Sequence, residues 1–410
     1  MTSRFPYPPN RGDRLTVFNA LGALSRTHQV TLFSFVDGRE RPEAFEQVAR
    51  FCARIETVHL SRPHSWAQAW TGLPLSRPSQ VSFYGSRSMR SLVAREVTPE
   101  RFDVVFAHLI RMAPCAAELD HPAKVLWLAD SLGLALGRSM AFAPWWRKPG
   151  VAWERRRLDR FTARMSRGFR ESWAISAVDL EDLARIGCVN LALVTHGVDE
   201  RLFTVERRPS TPPRVVFLGN LSVPHNVDAA LFAAHQVWTG IRAVFPAARL
   251  SLVGADPVPA VYATSGIAGV EVTGPLPDLL EMWASADVML APLRFSTGIQ
   301  NKVLEAMAAG VPVVTTTAVA GALGTRHGEH LLAADDAAGL AASVVEALRD
   351  PAAAQARARQ ARDHVRRHFS WATIVRRLEW LAGERADVPE GGSRAGEGRS
   401  DLRPPRSPRG

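Results

Sequence analysis

Short, nearly continuous apolar runs alternate along this chain with longer stretches of helical periodicity. Val30–Phe35, Ile55–Leu60, Asp103–Ala107, Lys124–Ala129, Ser172–Ile175 and Leu191–Val194 read as strands, and a helical stretch to Arg185 separates the last two. The pattern then restarts with strands at Arg214–Leu218, Arg249–Val253, Val270–Thr273, Asp287–Ala291 and Val311–Thr315. Helices are predicted between them at Val227–Phe245, Pro277–Ala284 and Ile299–Ala309. Strands apolar on both faces and separated by helices belong to parallel sheets covered on both sides. The fold class is therefore α/β, with two doubly wound units and a cleft between them. Ligands of such units bind beyond the carboxyl ends of the strands.

The polar, proline-bearing segment Asp199–Pro213 looks like the connection, giving a first domain over residues 1–198 and a second over 199–383. Residues 384–410 are rich in Gly, Pro, Arg and Ser, bear almost no apolar side chains, and are expected to be disordered.

Composition narrows the classes. Over 410 residues, 46% are apolar and 22% charged, as in ordinary globular proteins. Cys52, Cys115 and Cys188 are far apart and form no CxxC pair, which argues against a disulfide framework or a zinc site. The formal net charge of +10 favours anionic partners: nucleic acid, a membrane leaflet or phosphorylated substrates. The basic residues are spread out and no nucleic-acid motif is present, so nucleic acid drops out. No run of about 18 apolar residues and no signal-peptide core is found, so action in the cytoplasm or at its membrane surface is expected.

The chemistry concentrates in Pro292–Val314. A strand ends near Leu293, a polar loop follows over Phe295–Gly298, and a helix starts near Ile299 and stops before Gly310. Such a helix start presents free N–H groups and a positive dipole end, suited to phosphate. Lys302 in its first turn can add a charge-assisted contact. Glu305, one turn further, is either an exposed helix glutamate or a grip on a vicinal diol such as a ribose. His108 and Asp130 each follow an apolar strand and are expected to face the cleft. His108 reads as a sugar contact or a structural histidine. Asp130 reads as a residue that positions the acceptor or takes its proton, or as a helix cap.

This segment resembles the signature of the family 4 retaining glycosyltransferases, which have the GT-B fold: two Rossmann-like domains facing a central cleft. In that family a Glu-x7-Glu pair flanks the donor, and the second glutamate precedes Ala-Met-Ala-x-Gly-x-Pro-Val. Glu305 matches the second, implying a contact to the nucleotide ribose; the first falls on Thr297. The resemblance makes Thr297, Gly298, Ile299, Asn301 and Lys302 donor-binding positions. Phe217–Ala230 lies where members carry a basic pair for the diphosphate, here replaced by Asn220 and His225. Gly274–Leu276 matches the stretch that passes the base, adding Gly274 and Leu276 to the donor set. In the first domain, which the resemblance makes the acceptor domain, Gly12 lies where backbone approaches the donor phosphates. Met1 falls almost at the end of the first strand, so either the start is placed too late or the sheet is short of that strand. His196-Gly-Val-Asp199 resembles the family's Asn-Gly-Val-Asp at the domain junction, with Gly197 making a turn and Asp199 near the cleft.

With the N-terminal Arg4–Arg14, these motifs are similar to glycosyltransferases associated with PEP-CTERM/exosortase exopolysaccharide systems. The resemblance implies a UDP- or GDP-linked sugar as substrate, a glycan or lipid-linked acceptor, retained configuration, no cofactor and no essential metal. In Pro144–Arg167, Trp145, Trp146 and Trp153 stand among many arginines and a lysine. That mixture suits an anionic membrane surface or a solvated domain-bridging helix. Two other classes are kept. A non-catalytic GT-B scaffold of a polysaccharide assembly is motivated by Thr297, Asn220 and His225. A dehydrogenase is disfavoured because no G-x-G-x-x-G follows an early strand.

Overall fold

The computed structural model describes residues 1–9, 12–71, 77–140, 144–276, 278–295 and 299–386. Every expected strand is present. The first half holds β1 (Thr31–Val36), β2 (Arg54–His59), β3 (Val105–His108), β4 (Lys124–Ala129), β5 (Glu171–Ala174) and β6 (Leu191–Leu193). The second holds β7 (Arg214–Leu218), β8 (Arg249–Val253), β9 (Val270–Thr273), β10 (Val288–Ala291), β11 (Val313–Thr315) and β12 (Leu332–Ala333).

In the second half the six strands run parallel in the order β12-β11-β10-β7-β8-β9. β10 is buried along its whole length, as a strand sandwiched between two helical layers must be. In the first half β3-β4-β5-β6 form one parallel group and β1-β2 another. Between the groups, Thr2 N donates to Phe33 O at 2.9 Å and His108 N to Met1 O at 3.0 Å. The strand position between β1 and β3 is thus taken by Met1 and Thr2.

Three details depart from the sequence reading. β12 was not foreseen; two residues carry too little periodicity to register. The single helix expected at Val227–Phe245 is Pro224–Phe232, a π-helical turn at Ala233–Val237, then Trp238–Val244. The last helix, Trp371–Ala386, runs past the boundary drawn at residue 383 and crosses back to the first half. Its Trp371, Ile374, Leu378 and Leu381 fall at helical spacing and are buried in the core that also holds Trp173 and Ala20 of the first half. Arg377 pairs with Glu171 on β5, Nε lying 2.9 Å from Oε2. Residues 387–410, most of the expected tail, lie outside the described residues.

The three cysteines are unpaired thiols, two buried and one half-buried, in keeping with core filling.

Candidate active site

The helix Asn301–Ala308 projects from the end of β10 into the space between the two halves. Gly310, at φ +73°, ends it, and Val311 N returns to Ala306 O at 2.9 Å. Only glycine adopts this left-handed conformation without cost, so the C-cap expected there is made. At the other end no side chain among the described residues caps the first turn, where Val303 N and Leu304 N return to Gln300 O at 2.8 and 3.1 Å.

Lys302 turns inward. Its Nζ donates to Asn226 Oδ1 at 2.7 Å and to Gln300 Oε1 at 3.3 Å, and lies 5.8 Å from the Phe217 ring centroid. Burial pushes its pKa down to about 8, against the pull of Glu305. Glu305 points the other way. It borders a small pocket together with Leu15, Thr16, Asn19, His196, Gly197, Val198, Asp199, Asn301 and Trp371. That wall draws on the helix Gly12–Leu24 of the first half, the domain junction and the second half. Burial raises the Glu305 carboxyl to about 7, with Asp199 adding and Lys302 opposing. No hydrogen bond to this carboxylate is made among the described residues. Asn301 Nδ2 reaches across to Thr16 Oγ1 at 3.3 Å, joining the two halves beside it.

The junction is tightly built. His196 stacks on Trp371, centroids 5.7 Å apart, and Trp371 Nε1 donates to Val198 O at 3.2 Å. A Cβ on Gly197 would lie 2.4 Å from Trp371 N, so this position has room for glycine alone. The junction glycine is needed for close approach, and Asp199 stays at the cleft as anticipated.

The remaining expected positions are distributed as follows. Asn220 Oδ1 accepts from Ser222 N and Oγ at 3.0 and 2.6 Å, and Nδ2 donates to Asp256 at 3.1 Å; the side chain shapes its own loop. His225 lies near Lys302, and burial followed by that positive charge lowers it to about 4. Ile299 is buried at the start of the helix. Gly12 opens the helix Gly12–Leu24 with open space around it, and Gly274 likewise has open space; Leu276 packs partly on the core. Thr297 and Gly298 lie outside the described residues.

His108 is buried at the end of β3 against Trp127, ring centroids 5.1 Å apart, and its Nδ1 has no partner among the described residues. Burial, the largest influence, lowers it to about 3, so the ring is neutral near pH 7. Asp130 follows β4 after Ala129, whose φ is +62°. The cap of the next helix is Ser131, whose Oγ accepts from Leu134 N at 3.3 Å, so Asp130 does not take that role. Asn226 and Thr16 were missed in the sequence. Both are polar residues within apolar helical runs, and that is the only local signal they carry.

The chain is similar to known proteins in sequence and in fold. Residues 212–350, within the second half, match the family described as glycosyl transferases group 1. The glycogen synthases of two Mycobacterium tuberculosis strains are 29% identical over 214 residues, 48% of this chain and 49% of theirs. The chain thus spans about half the length of the curated relatives it matches. Among solved structures, sucrose-phosphate synthase from Thermosynechococcus elongatus superposes with a TM-score of 0.66 at 17% identity, covering 92% of this chain and 94% of that one. Anabaena Alr3699/HepE in complex with UDP and glucose gives 0.64 at 15% identity, covering 91% and 96%. WaaG, a glycosyltransferase involved in lipopolysaccharide biosynthesis, gives 0.58 at 16%, covering 94% and 98%. The fold is GT-B.

Proposed function

We propose that this chain is a glycosyltransferase that moves a sugar from a nucleoside diphosphate donor to the hydroxyl of a glycan or lipid-linked acceptor. The observation that carries this reading is Glu305: a half-buried carboxylate one turn into a cleft helix, without a hydrogen-bond partner among the described residues and walled by both halves of the molecule. Its two oxygens suit a ribose diol, and the uncapped first turn beside it suits a diphosphate. Lys302 beneath supplies positive charge to the same helix start. The group 1 domain match over residues 212–350 supports the same assignment.

In the proposed reaction the acceptor oxygen bonds to the anomeric carbon on the face that the diphosphate leaves, which retains configuration. The departing diphosphate takes the acceptor proton. The helix N–H groups and Lys302 stabilise the negative charge that grows on the leaving oxygen. In this scheme the neutral ring of His108 hydrogen-bonds a sugar hydroxyl and Asp130 orients the acceptor. No cofactor or metal enters this scheme. The biological setting we propose is exopolysaccharide or cell-envelope polysaccharide synthesis at the inner face of a membrane. No helix among the described residues is long and apolar enough to cross a membrane.

The experiment is a calorimetric screen of UDP, GDP and ADP, followed by Glu305→Ala. One nucleotide should bind, and the substitution should weaken it at least tenfold and abolish transfer while the fold survives. Silence of all three nucleotides at millimolar concentration would favour the non-catalytic scaffold, a reading to which the loop-bound Asn220 side chain lends weight.

A further inference from the structure

A second polar cluster lies on the first half, beside the cleft and outside the lining of the pocket that Glu305 borders. Arg4 Nη1 donates to Asp13 Oδ2 at 2.7 Å, and Arg4 Nε to the Tyr84 hydroxyl at 3.1 Å. Arg111 lies over the same ring, its Cζ 5.5 Å from the Tyr84 centroid. Its Nε donates to Gln80 Oε1 at 3.2 Å, while its Nη1 is shut off from solvent and has no partner among the described residues. The cluster is placed by cleft elements. Asp13 opens the helix whose Leu15, Thr16 and Asn19 line the pocket facing Glu305. Arg111 follows His108 by one turn of chain at the carboxyl end of β3, and His108 Nδ1 is likewise buried and unpartnered.

Arginine stays protonated at any working pH, so Arg111 is a largely enclosed cation. Asp13 and Asp130 face it, and Arg4 opposes it, but no carboxylate bonds to it among the described residues; Asp13 is engaged by Arg4. The two N–H donors of its Nη1, shut off from solvent without a partner among the described residues, are costly to leave unmet, and a second guanidinium at the same tyrosine adds repulsion. An anion at this place relieves both. The Nη edge of Arg111, with the charge of Arg4 beside it, suits a phosphate, which offers several acceptor oxygens and up to two charges, better than a single carboxylate.

Resting on the glycosyltransferase reading, we infer that Arg111 and Arg4, held on the face and at the hydroxyl of Tyr84, bind a phosphate group of the acceptor. The acceptor is then a phosphate-bearing lipid or a soluble phosphorylated sugar.

The test uses the full chain with UDP saturating, so that the donor phosphate site is filled. Glucose 1-phosphate is titrated by calorimetry, and phosphatidylcholine vesicles with and without phosphatidic acid are compared by pelleting. At least one phosphate probe should bind, Arg111→Gln should weaken it tenfold or more, and Arg4→Gln several-fold. UDP affinity within twofold of the parent in both variants shows that they fold. An arginine-dependent response to glucose 1-phosphate assigns the soluble source, and one to phosphatidic acid the lipid source. Phosphate binding that neither substitution weakens, no binding of either probe, or glucuronate binding as well as glucose 1-phosphate would overturn the inference. Absence of binding by UDP, GDP and ADP alike in the parent protein would instead sink the glycosyltransferase reading, and the same titrations without nucleotide would still read the arginines.

Discussion

Lys302 and Glu305 stand one turn apart on the same helix but face opposite environments: Lys302 Nζ is tied 2.7 Å from Asn226 Oδ1, whereas Glu305 borders the open pocket. Their charges are therefore coupled without being spent on each other. A direct ion pair would leave neither free for a ligand.

Their titration should be visible in binding. Glu305 must be ionised to accept from a ribose, and its carboxyl is raised to about 7, so nucleotide affinity should fall as pH drops through 7. Above about 8 Lys302 loses its proton and affinity should fall again. The two apparent values belong to the pair. Calorimetry from pH 5.5 to 9.5 should give a bell, and Glu305→Gln should remove its acid limb relative to the parent. An acid limb unchanged in the variant would assign it to the nucleotide's own phosphate.

The same raised carboxyl makes a stability prediction. Between the ordinary glutamate value near 4.5 and about 7 the folded chain holds a proton that the unfolded chain releases, so stability falls as pH rises through this window. Glu305→Gln should then stabilise the fold by about 1–3 kcal/mol at pH 8 and by little at pH 4. Thermal melts at the two pH values check the sign.

Gly197→Ala should destabilise, because its Cβ would enter to 2.4 Å of Trp371 N and 2.5 Å of Trp371 Cδ1. Neither the junction backbone nor the stacked indole can retreat easily, so we expect a loss of about 2 kcal/mol or more. Urea denaturation gives the value directly.

The bridge from the last helix is tested by Arg377→Leu. Glu171, whose side chain is 10% exposed, would keep only the Trp173 Nε1 donor at 2.7 Å. Leaving a buried carboxylate largely unpaired costs about 3 kcal/mol. The loss should be recovered in the double variant with Glu171→Gln.

Membrane attachment has a defined surface to test. Trp66, Trp70, Trp145, Trp146 and Trp153 are 61, 69, 81, 59 and 46% exposed. The helices bearing Trp66 and Trp153 both attach to the short helix Ser79–Phe83: Trp66 packs on Phe83, and Glu154 accepts from Ser79 N at 2.6 Å. Pelleting with anionic vesicles should fall several-fold when Trp145 and Trp146 become Ser, and further when Trp66 and Trp70 follow. Equal pelleting would remove this face from the interaction.

The sequence by itself determined the α/β class, eleven of the twelve strands among the described residues and the stop at Gly310, because burial on both faces and a left-handed cap leave local marks. It also singled out Glu305, since a carboxylate inside an apolar helix is conspicuous. Tertiary structure decided the rest. Asn226 holds Lys302 from 76 residues away, Thr16 meets Asn301 across 285, and Arg377 reaches Glu171 across 206. Tyr84 gathers Arg4 from 80 residues earlier. Periodicity records which face of an element is buried, but not which distant element buries it. A site assembled from side chains on several elements exists only once those faces have met.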